Sequence, residues 1–164
     1  MSEALPKRVV TLPPDLAPAE ARAFAFGAWS HGAELLELRT DLHPPELPLA
    51  PLRESLPLLV SERGAPIPES WLQVAHHVDL PLGAPLPARA HGVLVSEHFA
   101  APMPLQAALA AWDHLPAHAS LKHVEPLGDP ARIEALLELQ DRLLQRFGHG
   151  RVTVRFETRT TGPG

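Results

Sequence analysis

Apolar residues in this chain form short runs that alternate with segments of helical spacing. Seven runs of three to six residues are rich in valine and leucine and are bounded by polar, glycine or proline residues. Such runs are typical of strands buried in a sheet. The predicted strands cover residues 8–12, 34–38, 58–61, 78–80, 92–96, 119–124 and 151–156.

Helical patterns separate several of these runs. Asp129 and Pro130 are favourable at a helix start, and apolar side chains then recur at helical spacing as far as Gly148. The pattern predicts a helix there, ended by the glycine. A proline-free segment predicts another helix over 19–31. Shorter helices are predicted at 69–76 and 105–112.

Proline is the most unusual component of the sequence. It occupies 20 of the 164 positions, whereas ordinary proteins contain about 5%. The prolines crowd two connections, at 44–57 and 81–87. A proline inside a helix costs about 3 kcal/mol, so both connections are predicted to be loops or extended covers with little regular helix.

The alternation of strands and helices predicts an α/β fold with a parallel sheet. The chain is short for a closed barrel of eight β/α units, which takes about 250 residues. We therefore predict an incomplete or miniaturised TIM-type (β/α) barrel with about seven parallel strands and some crossover helices lost. The expected organisation is a single domain over 1–157, followed by a disordered tail at 158–164.

Charge and cysteine content exclude several classes of protein. The net charge of −5 and the absence of a basic stripe argue against nucleic-acid binding. The chain has no cysteine, which excludes disulfides and thiol chemistry. No apolar run approaches a membrane span and the first residues do not resemble a leader, so a cytoplasmic protein is expected.

Histidine pairs are the only candidates for a metal site. His76 is followed by His77, and His114 lies four residues before His118. Each pair supplies two ligands, no third is indicated, and a proline interrupts the second pair. We therefore expect no metal ion and no other cofactor.

Lys122 is one of only two lysines in a chain that otherwise uses arginine as its cation; the other is Lys7. It lies inside the apolar run 119–124, where a charged side chain is costly unless it is paired or loses its proton. A neutral lysine amine attacks carbonyl groups, so Lys122 is a candidate for imine chemistry. The alternative is a lysine at a strand end whose ammonium group reaches water.

Two other strand ends carry groups suited to chemistry. Ser96 and His98 alternate onto one face, and a histidine at the carboxyl end of a strand is suited to proton transfer near neutral pH. Glu37, Arg39 and Asp41 alternate in the same way and form a candidate anion-binding or proton-orienting group. The alternatives are a surface histidine and a surface ion pair that contributes little to stability.

Together these segments resemble type I 3-dehydroquinate dehydratase, the Schiff-base lyase of the shikimate pathway in aromatic amino acid biosynthesis. The resemblance extends from about residue 7 to residue 156. Segment 32–41 is close to the family's Gly-Ala-Asp-x-x-Glu-x-Arg-x-Asp motif, and segment 58–63 resembles the family's next strand, which ends in arginine. Segment 93–104 is similar to the family's Ser-x-His-x-Phe segment, and segment 119–122 is similar to the strand that carries its imine lysine.

The resemblance implies a mechanism and a set of site residues. Lys122 would form an imine with the ketone of 3-dehydroquinate, and His98 would act as the acid and base. Glu37, Arg39 and Arg63 would contact or position the substrate, which is a small anionic carbonyl compound. No cofactor is implied by this chemistry.

The sequence also departs from the family pattern. Pro81 stands where the family has a glutamate that supports the histidine, and Phe99 follows His98 directly. No motif aligns the family's late substrate arginine, for which Arg155 and Arg159 are possible counterparts. The alternative to an active lyase is therefore a catalytically dead homologue that binds a ligand or another protein. A different Schiff-base reaction on the same scaffold, such as aldol cleavage, is the third candidate.

An incomplete barrel is expected to leave a sheet edge open. Exposed edges and apolar surfaces favour association. We therefore predict a homodimer with two-fold symmetry in which the two chains cover the open barrel edge.

Overall fold

A computed structural model of the chain describes residues 8–89, 92–126, 129–148 and 151–157, with side chains up to residue 154 in the last segment. These residues contain seven strands and five helices. In chain order the elements are β1 (Val9–Thr11), α1 (Pro18–Ser30), β2 (Leu35–Arg39), α2 (Ala50–Arg53), β3 (Leu58–Ser61), α3 (Glu69–Val74), β4 (His77–Pro81), β5 (Val93–His98), α4 (Leu105–Ala111), β6 (Ala119–Pro126), α5 (Arg132–Phe147) and β7 (Val152–Glu157).

The chain divides into two compact units, the first ending at Val93 and the second beginning at Leu94. In unit 1 the strands β1 to β4 pair in parallel and lie side by side in chain order. The register places Thr11 beside Glu37, and Ser61 beside both Arg39 and Asp79. The carboxyl ends of the four strands therefore lie along the same edge of the sheet.

The core of unit 1 lies between one face of this sheet and the helices. Alternate strand residues such as Leu36, Val60 and Val78 are fully buried in the same cluster as Ala21 of α1 and Trp71 of α3. Side chains alternate across a strand, so the intervening residues point to the opposite face. That opposite face carries most of the polar strand residues of unit 1.

Unit 2 contains β6 and β7, which pair in parallel, and β5, which neighbours β6. The backbone N–H of Phe99 donates to the carbonyl of Val124 at 2.9 Å. In a parallel ladder this bond sets His98 beside Val124 and Ser96 beside Lys122. Helix α5 has one strongly apolar side, with Leu136, Leu139 and Leu143 buried.

The structure confirms the predicted α/β fold, an incomplete TIM-type barrel with seven parallel strands. Each predicted strand is present, with ends shifted by at most two residues. The connection from β4 to β5 contains no helix over its described residues 82–89, in agreement with the expected loss of crossover helices. At the end of this connection Gly92 has a φ of +70°, and a Cβ there would overlap the carbonyl oxygen of His76. Only glycine fits at this position.

The proline-rich connection 44–57 contains little regular helix, as predicted. Its single turn α2 is compatible with Pro51, because this proline lies in the first turn, where no backbone N–H is required. The predicted start of the last helix is wrong. Helix α5 begins at Arg132 and not at Pro130. Asp129 instead forms a turn ahead of the helix, in which its carboxylate accepts the backbone N–H of Ala131. The predicted tail 158–164 lies outside the described residues.

Candidate functional site

Each of the four strands of unit 1 carries a polar residue within its last three positions, on the face away from the helices. We call Thr11, Glu37, Ser61 and Asp79, together with Arg63 beyond the end of β3, the polar row. Each strand member alternates with residues that belong to the helix-packed core. Active sites of (β/α) barrels lie at the carboxyl ends of the strands, so the polar row is the candidate site of this unit.

Glu37 lies at the centre of the polar row and is held by two hydroxyl groups. Thr11 Oγ1 donates to its Oε1 and Ser61 Oγ donates to its Oε2, each at 2.7 Å. Ser61 is fully buried, whereas the glutamate is half-buried. Because both donors come from neighbouring strands, the carboxylate is fixed in one orientation before any ligand arrives. Carboxylate oxygens accept more than one hydrogen bond, so both keep capacity for a ligand.

Arg63 and Asp79 form a largely buried ion pair among the described residues of unit 1. Arg63 Nη2 donates to Asp79 Oδ2 at 3.0 Å, and the aspartate side chain is only 2% exposed. A buried carboxylate is tolerated when it is paired in this way. The Arg63 backbone N–H also donates to Thr40 Oγ1 at 2.8 Å. The arginine is thus anchored at both ends and retains a partly exposed guanidinium suited to an anionic ligand.

Arg39 has a different environment from Glu37 although both lie in β2. Its Nε and Nη2 donate to the two carboxylate oxygens of Asp41 at 3.0 and 2.7 Å. The hydrogen bond from Arg39 lowers the pKa of Asp41 below its ordinary value, and this outweighs the smaller effect of burial. The predicted group therefore contains a bidentate Arg39–Asp41 pair, next to a glutamate oriented by hydroxyls.

Lys122 lies in β6 of unit 2, on the face that does not contact the helices. Its neighbour His123 bonds to Trp112 beside α4, and Glu125 bonds to Arg132 of α5. Strand alternation therefore directs Lys122 to the other face. The lysine is half-buried.

Ser96 and His98 belong to the same face as Lys122, because the register of β5 and β6 sets Ser96 directly beside the lysine. Ser96 is 2% exposed, and within the described part of the chain its hydroxyl has no hydrogen-bond partner. His98 is half-buried and lies two residues nearer the carboxyl end of β5. A lysine, a serine hydroxyl and a histidine thus share one face of unit 2.

The other predicted arginines occupy less defined positions. Arg155 lies in β7 at the register position of Val124. Arg159 lies outside the described residues. Of the predicted substrate residues, Glu37, Arg39 and Arg63 share unit 1.

A second polar group in unit 2, missed by the sequence analysis, lies on the helix side of β6. We call Trp112, His123, Glu125 and Arg132 the helix-side network. Trp112 Nε1 donates to His123 Nδ1 at 3.1 Å, and His123 Nε2 donates to Glu125 Oε1 at 3.0 Å. Arg132 Nε donates to Glu125 Oε2 at 3.3 Å, and the backbone N–H of Met103 donates to Oε1 at 3.1 Å.

The network contains one neutral and one charged buried group. Burial lowers the pKa of His123, and the nearby Glu125 opposes this effect without cancelling it. Burial alone would raise the pKa of Glu125, but the donors His123, Met103 N–H and Arg132 outweigh it and lower the pKa below its ordinary value. The imidazole is therefore neutral, with its proton on Nε2, and the carboxylate is ionised.

The members of the polar row that the sequence analysis missed, Thr11, Ser61 and Asp79, share one signal. Each lies within the last three residues of a short apolar strand, in the same alternation phase as its neighbours. The helix-side network carries no such signal, because His123 and Glu125 occupy positions where the β6 pattern predicts core.

No cluster of three or more histidine, aspartate and glutamate residues among the described residues is arranged to hold a metal ion. His76 Nδ1 accepts the backbone N–H of Leu58 at 3.2 Å, which occupies one of its two nitrogens. None of the described helices has both the length and the apolar character that a membrane crossing requires.

No model of a known protein family matches the chain, and no curated protein matches it either.

Proposed function

We propose that this chain is a lyase similar to type I 3-dehydroquinate dehydratase, which removes water from 3-dehydroquinate through a lysine imine to give 3-dehydroshikimate. The observation that carries the proposal is the register of β5 and β6. It brings Ser96 beside Lys122 and leaves His98 two residues further toward the carboxyl end of the same face. A carbonyl attacked by the lysine would lie on the same face as groups able to exchange protons with it.

The proposed reaction needs only groups supplied by the protein, the substrate and water. The neutral Lys122 amine adds to the ketone, and the adduct takes up a proton from water and loses a water molecule to give a protonated imine. That proton is released again when the imine is hydrolysed. His98 removes the proton from the adjacent carbon, and the electron pair moves to the imine nitrogen. The resulting enamine expels the β-hydroxyl group, which leaves as water with a proton returned by His98. Hydrolysis of the imine releases the product and restores the lysine.

The resemblance assigns Glu37, Arg39 and Arg63 of unit 1 to contacts with the substrate. Arg63 offers a partly exposed guanidinium anchored by Asp79, and such a group binds a carboxylate with good geometry. Glu37, oriented by Thr11 and Ser61, accepts a substrate hydroxyl. Arg39 adds positive charge beside Asp41. Arg155 and Arg159 are further proposed substrate contacts.

A ligand-binding homologue without turnover is the second candidate. In β4 the family's supporting glutamate is replaced by Pro81, the last residue of the strand. The nearby carboxylate of Asp79 is already engaged by Arg63. This arrangement favours binding over proton transfer, so catalysis by His98 is the part of the proposal most open to test.

Turnover of 3-dehydroquinate tests the proposal with two lysine variants. Lys122→Ala is expected to abolish dehydration, whereas Lys7→Ala, which removes the chain's other lysine, keeps the wild-type rate. His98→Ala is expected to lower kcat by about 100-fold or more, the usual contribution of a positioned acid or base. Equal rates in Lys122→Ala and Lys7→Ala would overturn the imine mechanism. Tight binding of 3-dehydroquinate without turnover in the wild type would favour the second candidate.

The remaining proposals concern location and assembly. A cytoplasmic location and a homodimer remain predictions from the sequence. The small anionic carbonyl substrate is the only ligand that the lyase requires.

A further inference from the structure

The hydroxyl group of Ser96 is buried and takes no part in the steps proposed for the lyase. Ser96 is 2% exposed, and its Oγ has no hydrogen-bond partner among the residues that the structure describes. A buried hydroxyl without a partner reduces stability, and native structures keep few such groups. A role in catalysis is one physical reason for keeping such a group, because its partner then arrives with the substrate.

Ser96 and Lys122 are direct neighbours in adjacent strands. The backbone N–H of Phe99 donates to the carbonyl of Val124 at 2.9 Å, and the resulting register sets Ser96 of β5 beside Lys122 of β6 on one face of the sheet. Adjacent strands lie about 5 Å apart. The flexible four-carbon stem of the half-buried lysine allows its nitrogen to reach the serine oxygen.

Lys122 has a second hydroxyl neighbour on its other side. Thr153 of β7 lies at the register position of Lys122 and therefore on the same face of the sheet. Thr153 is exposed, so its hydroxyl can bond to water, whereas the Ser96 hydroxyl is hidden from solvent. The two hydroxyls have the same register relation to the lysine and differ in burial. Only the buried one depends on the protein or a bound ligand for its hydrogen bond.

We propose that the Ser96 hydroxyl accepts the hydrogen bond of the Lys122 imine, an inference that rests on the proposed lyase function. The protonated imine of a ketone carries one N–H on its nitrogen, and a serine oxygen has lone pairs to accept it. Because this acceptor is neutral, the imine keeps the positive charge with which it withdraws electrons from the adjacent carbon. A carboxylate in the same place would offset that charge.

The state of Ser96 in the free protein strengthens the effect of this bond. The hydroxyl has no partner among the described residues before the substrate reacts, so the bond is gained only when the imine forms. An interaction that is made in the intermediate and not in the free protein stabilises the intermediate selectively. Ser96 therefore favours the covalent step over simple binding of the ketone.

A brief borohydride pulse tests the proposal on the full chain, with 3-dehydroquinate as the probe. Ser96→Ala is expected to raise at least tenfold the concentration of 3-dehydroquinate that gives half-maximal labelling of Lys122, the usual effect of losing a hydrogen bond to a charged group. Thr153→Ala is the matched control, because Thr153 has the same register relation to the lysine but is exposed. An equal loss of labelling in Thr153→Ala would overturn the proposal.

The pH dependence of labelling separates a role in the imine from a role in folding. A hydrogen bond from the imine N–H favours the protonated imine, which is the form that borohydride reduces. Labelling of Ser96→Ala is therefore expected to decline at a pH about one unit lower than labelling of the wild type. The urea midpoint of Ser96→Ala is expected to equal or exceed that of the wild type, because an unpaired buried hydroxyl is removed. A lower midpoint with an unchanged pH dependence would assign Ser96 a structural role and overturn the proposal.

This proposal and the lyase function fail in different ways. No adduct on Lys122 in the wild type would refute the imine chemistry and, with it, the role of Ser96. An adduct that forms in the wild type and in Ser96→Ala at the same concentrations of 3-dehydroquinate would leave the imine chemistry standing and overturn the role of Ser96 alone.

Discussion

The polar row of unit 1 and the helix-side network of unit 2 contain similar residues on opposite faces of their strands. In the polar row Glu37 accepts two neutral hydroxyl groups and remains half-buried. In the helix-side network Glu125 is fully buried and accepts from His123, Arg132 and the backbone of Met103. One glutamate is oriented but keeps access to solvent, whereas the other has no exposed surface.

This difference in exposure indicates a ligand-binding role for Glu37 and a structural role for Glu125. A half-buried carboxylate on the sheet face away from the helices loses little solvation free energy, and its oxygens are accessible to a ligand. A carboxylate between strand and helix is costly to desolvate, and its donors join β6, α5 and the loop before α4. We therefore expect substitutions in the network to reduce stability, and substitutions in the polar row to reduce ligand binding.

The largest effect is expected from Glu125→Gln. Loss of the negative charge leaves Arg132 and His123 with a weaker hydrogen-bond acceptor in a buried site. Breaking a buried ion pair in this way lowers the free energy of unfolding by about 3 kcal/mol. Urea unfolding measures the change. Glu138→Gln is the matched control, because Glu138 lies 3.6 Å from Arg142 on the surface of α5. Its expected cost is below about 0.5 kcal/mol, and similar losses in both variants would contradict the structural role of the network.

Two buried tryptophans provide the next comparison. Trp112→Phe removes the donor to His123 Nδ1 and leaves that nitrogen unsatisfied, at a cost of about 1–3 kcal/mol beyond lost packing. Trp71→Phe removes an indole N–H that has no partner within the described residues, so only packing is lost. Thermal or urea unfolding is expected to show Trp112→Phe as the more destabilised variant. An equal stability loss in the two variants, or a larger loss in Trp71→Phe, would show that the Trp112–His123 hydrogen bond contributes nothing to stability.

Glu37→Gln tests the polar row. One of the two hydroxyls of Thr11 and Ser61 still donates to the amide oxygen, and the other accepts from the amide NH2, so the stability loss is expected to stay within about 1 kcal/mol. Affinity for 3-dehydroquinate is expected to fall at least tenfold, equivalent to about 1.4 kcal/mol. Calorimetric titration measures this affinity. Glu34→Gln is the control, because Glu34 is an exposed glutamate. Unchanged affinity in Glu37→Gln, or an equal loss in Glu34→Gln, would remove Glu37 from the site.

The smallest expected effect is a dependence of stability on pH. The fold lowers the pKa of His123 below its ordinary 6.5 and that of Glu125 below its ordinary 4.5. The unfolded chain therefore binds more protons as the pH falls, so stability decreases below about pH 6.5 and again below about pH 4.5. Urea midpoints at several pH values measure the slope. His123→Gln is expected to flatten it between about pH 7 and pH 5, and an unchanged slope would exclude His123 as its source.

Much of the fold follows from the sequence because strand spacing and proline placement act locally. The apolar runs and the caps near Asp129 and Gly148 indicate where elements lie within one or two residues. Helix α2 cannot be predicted in this way, because a single turn has no periodicity of its own. The start of α5 is predicted two residues too early, because the Asp129 carboxylate accepts a hydrogen bond in a turn ahead of the helix.

The candidate site is less predictable because a strand pattern does not tell which face a polar residue occupies. Lys122 and His123 are neighbours in sequence, yet they lie on opposite faces of β6. Contacts with other elements decide which face each side chain occupies. In β6 these contacts come from Trp112 beside α4 and from Arg132 in α5. In β2 the phase is readable, because Leu36 and Leu38 are apolar and Glu37 between them is not.

The most direct test of the account is to trap and locate the imine. The protein is incubated with 3-dehydroquinate, reduced with borohydride, digested and mapped by mass spectrometry. With only two lysines in the chain, the position of the adduct is unambiguous. We predict an adduct on Lys122 that is absent in Lys122→Ala and retained in Lys7→Ala. An adduct on Lys7 alone, or none at saturating 3-dehydroquinate, would contradict the proposed chemistry.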